Sequence, residues 1–266
     1  MKLQFKRMLS VDSPKAVKSL SYGWLNGINY AAPYRRNTKG KNLCSHASAG
    51  CIALCLGEHS GQAAMAKQGE ISKVFASRMA KADYFLNDRP SFLRELAYHS
   101  AKLYKAAKDK GMRACVRPNG STDIAFESLP LTIDDKLAGQ IGAFLGRKVK
   151  SGLYRNIMAL LPEVQFTDYT KNPKRFARPL PENYSLTFSH SETNKADCLR
   201  LLSQGHNVAV VFAHGLPVKR KLWGYPVSDG DKHDLRHLDP KGRVIGLSPK
   251  GNKAKRDQSG FVLRDY

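Results

Sequence analysis

Short apolar segments that run straight into polar residues recur along this chain, and helical periodicity fills the intervals between them. Residues 112–116 lead into Arg117, Asn119 and Asp123, residues 163–169 into Thr170 and Lys171, and residues 184–188 into Ser189, His190 and Glu192. Residues 207–212 carry the nearly continuous apolar run of a strand buried on both faces. Apolar residues fall at helical spacing over 62–87, through Ile71, Val74, Phe75 and Met79. They do so again after the candidate caps Asp88 and Ser91, through Leu93, Leu96, Leu103 and Ala107 as far as Gly111. Further helices are expected over 133–146, 150–160 and 197–203, with outlying strands over 28–32 and 243–247. Strands alternating with helices are the pattern of parallel βαβ units, so the fold class is α/β, built as a barrel or an open parallel sheet.

A parallel sheet has a functional consequence, because each strand fixes the position of the loop that follows it. In a barrel these loops share one rim, where Arg117, Tyr169, Lys171, His190 and Glu192 can face a common ligand. Arg117 suits a carboxylate or phosphate, and Asn119 and Asp123 can orient a ligand by hydrogen bonds. Asn-Gly and Ser-Thr-Asp are equally ordinary turn and cap sequences. No glycine-rich dinucleotide fingerprint and no phosphate-binding P-loop is found, so neither NAD nor ATP is expected.

The block from Asn42 to Gly57 holds three of the five cysteines, Cys44, Cys51 and Cys55, with gaps of six and three residues. Small neighbours and Gly50 allow a turn into a helix that brings the thiols together. Three thiolates suit an iron-sulfur cluster, leaving one iron open, whereas structural zinc takes four ligands and only His46 is locally placed to be the fourth. Plain burial of small thiols is the alternative. An odd cysteine count without a secretory leader points to reduced thiols and a cytoplasmic protein.

The 266 residues are 42% hydrophobic, enough for one core, and one domain spanning 1–266 is expected. No run is long enough to span a bilayer, so no membrane partner is expected. Lys and Arg number 44 against 22 acidic residues, a formal net charge of +22, which implies a nucleic-acid partner or substrate, DNA or RNA. The candidate phosphate contacts are Lys219, Arg220 and Lys221, with Lys250, Lys253, Lys255 and Arg256 in a basic C-terminal segment beginning near 219. Asp229, Asp231 and Asp234 lack the ligand series of an EF-hand and read as a surface turn.

Several segments together resemble phage-encoded proteins similar to the radical S-adenosylmethionine (SAM) superfamily. They are Leu25-Asn-Gly-Ile with the following Tyr-Ala-Ala-Pro, the block from Asn42 through Leu56, Arg117-Pro-Asn-Gly-Ser-Thr-Asp-Ile, Phe166-Thr-Asp-Tyr-Thr-Lys, Leu186-Thr-Phe-Ser-His-Ser-Glu, and Asp229-Gly-Asp-Lys-His-Asp-Leu-Arg. The cysteine gaps differ from the superfamily's usual spacing, and Leu54 stands beside Cys55 where an aromatic residue is usual. The resemblance implies a TIM-barrel-like (β/α) fold, often partial, with a [4Fe-4S] cluster on Cys44, Cys51 and Cys55. It further implies SAM on the open iron and radical hydrogen abstraction from a substrate. Arg117, Asn119, Asp123, Tyr169, Lys171, Ser189 and Glu192 would then line the SAM or substrate pocket. Two other readings stand beside it: a replication or nicking protein with Tyr169 as nucleophile, and a non-catalytic nucleic-acid-binding protein with structural cysteines.

Overall fold

A computed structural model of the chain describes residues 3–59, 61–65 and 70–266. Eleven strands are formed among them: β1 (Trp24–Ile28), β2 (Arg113–Arg117), β3 (Leu131–Ile133), β4 (Gly152–Tyr154), β5 (Gln165–Thr170), β6 (Tyr184–Ser189), β7 (Val208–Phe212), β8 (Lys221–Leu222), β9 (Tyr225–Asp229), β10 (Val244–Leu247) and β11 (Val262–Leu263). Nine of these make one sheet in the order β1-β2-β5-β6-β7-β10-β9-β8, with β11 also paired to β7. Every pairing in it is parallel except β8 with β9, and β3 and β4 form a separate antiparallel hairpin. The mixed α/β class and the mostly parallel sheet agree with the sequence pattern.

The helices are α1 (Pro14–Lys18), α2 (Ala49–Ala53), α3 (Leu56–His59), α4 (Lys73–Asn87), α5 (Arg89–Lys108), α6 (Asp135–Leu145), α7 (Ile157–Leu160), α8 (Lys195–Ser203) and α9 (Gly251–Lys255). Ser72 caps α4 through Phe75 N–H, and Asp88 caps α5 through Ser91 N–H. The helix expected over 62–87 begins only at Lys73, and part of the expected span, 66–69, lies outside the described residues. The helix expected over 150–160 is a short strand followed by the one-turn α7. The strand expected over 28–32 lies earlier, at β1. Gly27, which reads as a breaker, is needed inside that strand because Leu103 Cδ2 would stand 2.8 Å from a Cβ there.

Alternation along the strands gives the sheet two different faces. Leu25, Ala114, Val116, Phe166, Tyr184 and Leu186 join Phe92, Leu96 and Ile141 of the helices in the largest core. On the opposite face Trp24 and Cys115 pack with Leu235, which lies in the segment following β9. The sheet is an open path from β1 to β8 among the described residues, so the closed barrel is not formed. Side chains of α1 and β1 also contact the segment after β9 that covers the Trp24 face. Lys18 Nζ of α1 donates to Asp231 O at 2.7 Å, and the Tyr22 and Trp24 rings meet His233 and His237 edge to face.

Candidate functional site

Because the strands are parallel, their carboxyl ends share one edge, and the connection leaving β1 carries the cysteine block there. Cys44 accepts from Tyr34 N–H at 3.3 Å and its thiol lies 3.8 Å from Ser121 O, in the loop that follows β2. Ser48 caps α2 by accepting from Cys51 N–H at 3.2 Å, and Cys55 follows two residues after the end of that helix. All three thiols are partly buried. Burial pushes Cys44 up to about 12, and Cys55, Asp123 and Cys51 add to the rise. Burial likewise pushes Cys55 up to about 11, with Cys51 and Glu58 adding and Lys171 opposing. Among the described residues no three or more His, Cys, Asp and Glu side chains are placed to hold one metal ion. Cys115 and Cys198 are buried elsewhere, and all five cysteines are free.

Glu192, from the loop after β6, fastens this block to the sheet. Its Oε2 accepts from the Ser48 hydroxyl and its Oε1 from Gly50 N–H, both at 2.7 Å. Burial raises the Glu192 carboxyl, but these bonds prevail and hold it below its ordinary value. Gly50 is enclosed: an added Cβ would lie 2.6 Å from Ser259 Oγ and 2.9 Å from both Glu192 Oε2 and Phe261 Cβ. The chain's last segment is therefore a wall of the cysteine block, held there by β11 pairing to β7.

The polar strand ends divide into positioning groups and groups with another destination. Asn119 spends its amide on Asp168 Oδ2 and Ile124 O and accepts from Thr122 and Ile124 N–H. Asp123 accepts from Arg175 at 2.7 Å, the Thr170 hydroxyl at 3.0 Å and Lys171 N–H at 2.9 Å. Asn119, Asp123 and Glu192 thus organise loops. Lys171 Nζ donates to Ser189 Oγ at 3.0 Å and lies 5.1 Å from the Phe261 ring centre, which puts Lys171 and Ser189 beside the thiol block. His190 is buried, and that burial, with Lys171 nearby, lowers it to about 4.

Arg117 and Tyr169 turn to the covered face instead. Arg117 Nη1 donates to Asp234 Oδ2 at 3.2 Å, its guanidinium lies 4.6 Å from the Tyr169 ring centre, and the Tyr169 hydroxyl donates to Asp234 Oδ1 at 3.4 Å. Lys15 Nζ also reaches Asp234 Oδ1 at 3.4 Å. Burial would raise the Asp234 carboxyl, but Lys15, Arg117 and Arg236 hold it well below the usual carboxylate range. The surface turn expected here is corrected: Asp229 does accept from Asp231 N–H at 2.9 Å, as in a turn, whereas Asp234 is fully enclosed. Nothing local marks it, because its partners come from α1, β2 and β5.

The basic residues also separate. Lys253 Nζ lies 3.4 Å from His59 Nε2, so α9 meets α3 and brings Lys253, Lys255 and Arg256 to the cysteine block. Lys250 pairs with Asp231 at 3.1 Å. Lys219, Arg220 and Lys221 sit at the β8–β9 hairpin, on the edge of the sheet opposite β1. The basic loop after β1 reaches the same block, since its Arg36 pairs with Glu58 of α3 at 2.9 Å.

A mostly parallel sheet with thiols, a lysine and capped loops gathered at the carboxyl ends of its strands defines a mixed α/β protein. The chain belongs to the Gene product 88 family, whose description matches residues 4–265 and names no reaction. That match supports the phage-type relationship implied by the sequence resemblance and shows no radical-SAM family. No curated protein and no solved structure matches the chain. Among the described residues no helix is long and apolar enough to cross a membrane.

Proposed function

We propose that the protein is a radical-SAM-like enzyme that holds an iron-sulfur cluster on Cys44, Cys51 and Cys55 and acts on nucleic acid or a nucleotide. The observation that carries this reading is the placing of three partly buried thiols in one block at the carboxyl edge of a parallel sheet, beside Lys171 and next to a basic helix. The donor set fits a cluster better than a lone zinc ion. Three thiolates are the donor set of a cluster with one open iron, whereas a lone structural zinc ion takes four ligands. When bound, a cluster with one open iron would supply one-electron chemistry to SAM.

The chain's own groups support the block in stated ways. Glu192 holds the α2 turn, Asp123 fixes the backbone of Lys171, and Lys171 places a positive charge that favours the Cys55 thiolate. The nicking reading draws no support from Tyr169, whose hydroxyl is engaged with the enclosed Asp234. Anaerobic reconstitution with ferrous iron and sulfide tests the proposal. About four irons per chain, with charge-transfer absorption lost on Cys51→Ser, is the expected result. Uptake of zinc alone, or of no metal, overturns it and leaves a nucleic-acid-binding protein with structural cysteines.

A further inference from the structure

Two groups of basic residues that are far apart in sequence meet at consecutive residues of α3, the short helix that follows Cys55. Arg36, from the loop after β1, pairs with Glu58 at 2.9 Å, and Lys253 of α9 lies 3.4 Å from His59. The first loop is folded tightly, with Leu43 N–H donating to Tyr34 O at 3.1 Å and the Asn37 amide donating to Lys41 O at 2.7 Å. It therefore presents Arg35 and Lys41 from a fixed frame. The second group is fixed by Asp257, which accepts from Ser259 N–H, the Ser259 hydroxyl and Val262 N–H just beyond α9.

Arg35, Lys41, Lys253, Lys255 and Arg256 are all exposed, and among the described residues none has an acidic partner. In the same elements Glu58 pairs with Arg36, and Asp83, Asp257 and Glu192 are held by hydrogen bonds to Thr38, Ser259 and Ser48, which leaves the cations in excess. Such an excess of cations attracts a polyanion with several phosphates more strongly than one with a single phosphate.

We infer that these two groups form one phosphate-tracking surface that carries a single strand of nucleic acid past α3 and the cysteine block. The choice of a single strand rests on the proposed reading, because thiols set partly below the surface are out of reach of a base stacked within a duplex. The half-buried Tyr34 ring, 5.6 Å from the Arg35 guanidinium, lies on the same loop and adds an aromatic surface of the kind on which unpaired bases stack.

The test is fluorescence anisotropy of the full chain with a dye-labelled strand of about 20 nucleotides, titrated between about 50 and 200 mM KCl. Each single-strand phosphate contact contributes about 0.7 to the slope of log affinity against log salt, so Arg35→Gln with Lys41→Gln lowers the slope by about 1.4. Lys253→Gln with Lys255→Gln and Arg256→Gln lowers it by about 2, and the two sets add. The edge set Lys219→Gln, Arg220→Gln and Lys221→Gln leaves the slope unchanged. An edge set as damaging as the α9 set overturns the inference by showing diffuse attraction, and so does tighter binding of the matching duplex. Cys44→Ser, Cys51→Ser and Cys55→Ser together retain the wild-type slope, so failure of cluster assembly and failure of this surface are read separately.

Discussion

Arg117 and Asp234 meet on the covered face of the sheet, Nη1 to Oδ2 at 3.2 Å, although 117 positions separate them in sequence. The carboxylate is fully enclosed and the guanidinium is only 14% exposed. The contact fastens the segment after β9 onto β2, and Lys15 ties α1 to the same carboxylate.

Removing Asp234 strands the Arg117 guanidinium in a dry site, whereas removing Arg117 leaves Asp234 with Lys15. Asp234→Leu alone is expected to cost about 3–5 kcal/mol and Arg117→Met less. The double replacement costs much less than the sum of the two, read as urea unfolding midpoints with unchanged slope. Strict additivity would show that the two groups do not depend on each other.

The metal-free thiols should be sluggish nucleophiles. With Cys44 pushed up to about 12 and Cys55 to about 11 by burial, little thiolate exists at pH 8. Alkylation of Cys55 by iodoacetamide is expected to be about 200-fold slower than that of a free cysteine, from the thiolate fraction alone. Peptide mapping of the alkylated chain measures it. Rapid modification of both residues at pH 8 would contradict their enclosure.

Gly50 leaves no room for a methyl group. In Gly50→Ala the new Cβ must displace Ser259, Phe261 or the Glu192 carboxylate, at an expected cost of about 1–3 kcal/mol. The same change should loosen the C-terminal wall and raise the rate of Cys51 modification. Unaltered stability together with unaltered thiol reactivity would remove the tail from the site.

His190 gives a pH signature. Its folded value of about 4 lies below the ordinary 6.5, because burial disfavours the imidazolium and Lys171 adds to the effect. Its contribution to stability is therefore complete above 6.5 and is lost as pH falls towards 4. His190→Phe, which preserves a ring against Trp223, should gain on the wild type by up to about 1.4 kcal/mol per pH unit over that interval. Parallel stability curves for the two proteins between pH 7 and 4.5 would show that His190 titrates normally.

The polar edge of the sheet was legible in sequence because each strand end is written locally. An apolar run stops, and the residues that follow, such as Asn119 and Asp123 or Ser189 and Glu192, are those that turn and cap a chain. The role of those residues was not legible. Asn119, Asp123 and Glu192 are polar in the same way whether they bind a ligand or hold a loop, and only their partners show that they hold loops.

By itself the sequence determined the alternation of strands and helices, the cap at Asp88 and the clustering of three cysteines after β1, since these depend on residues within a few positions of one another. Tertiary structure alone decided that the sheet stays open, that Asp234 is enclosed and that the C-terminal basic helix comes to α3 while the Lys219 group does not. The physical reason is that burying a charge or covering a sheet face takes partners from distant chain segments, here 117 and 219 positions from Asp234, and no local pattern of residues encodes a contact of that range.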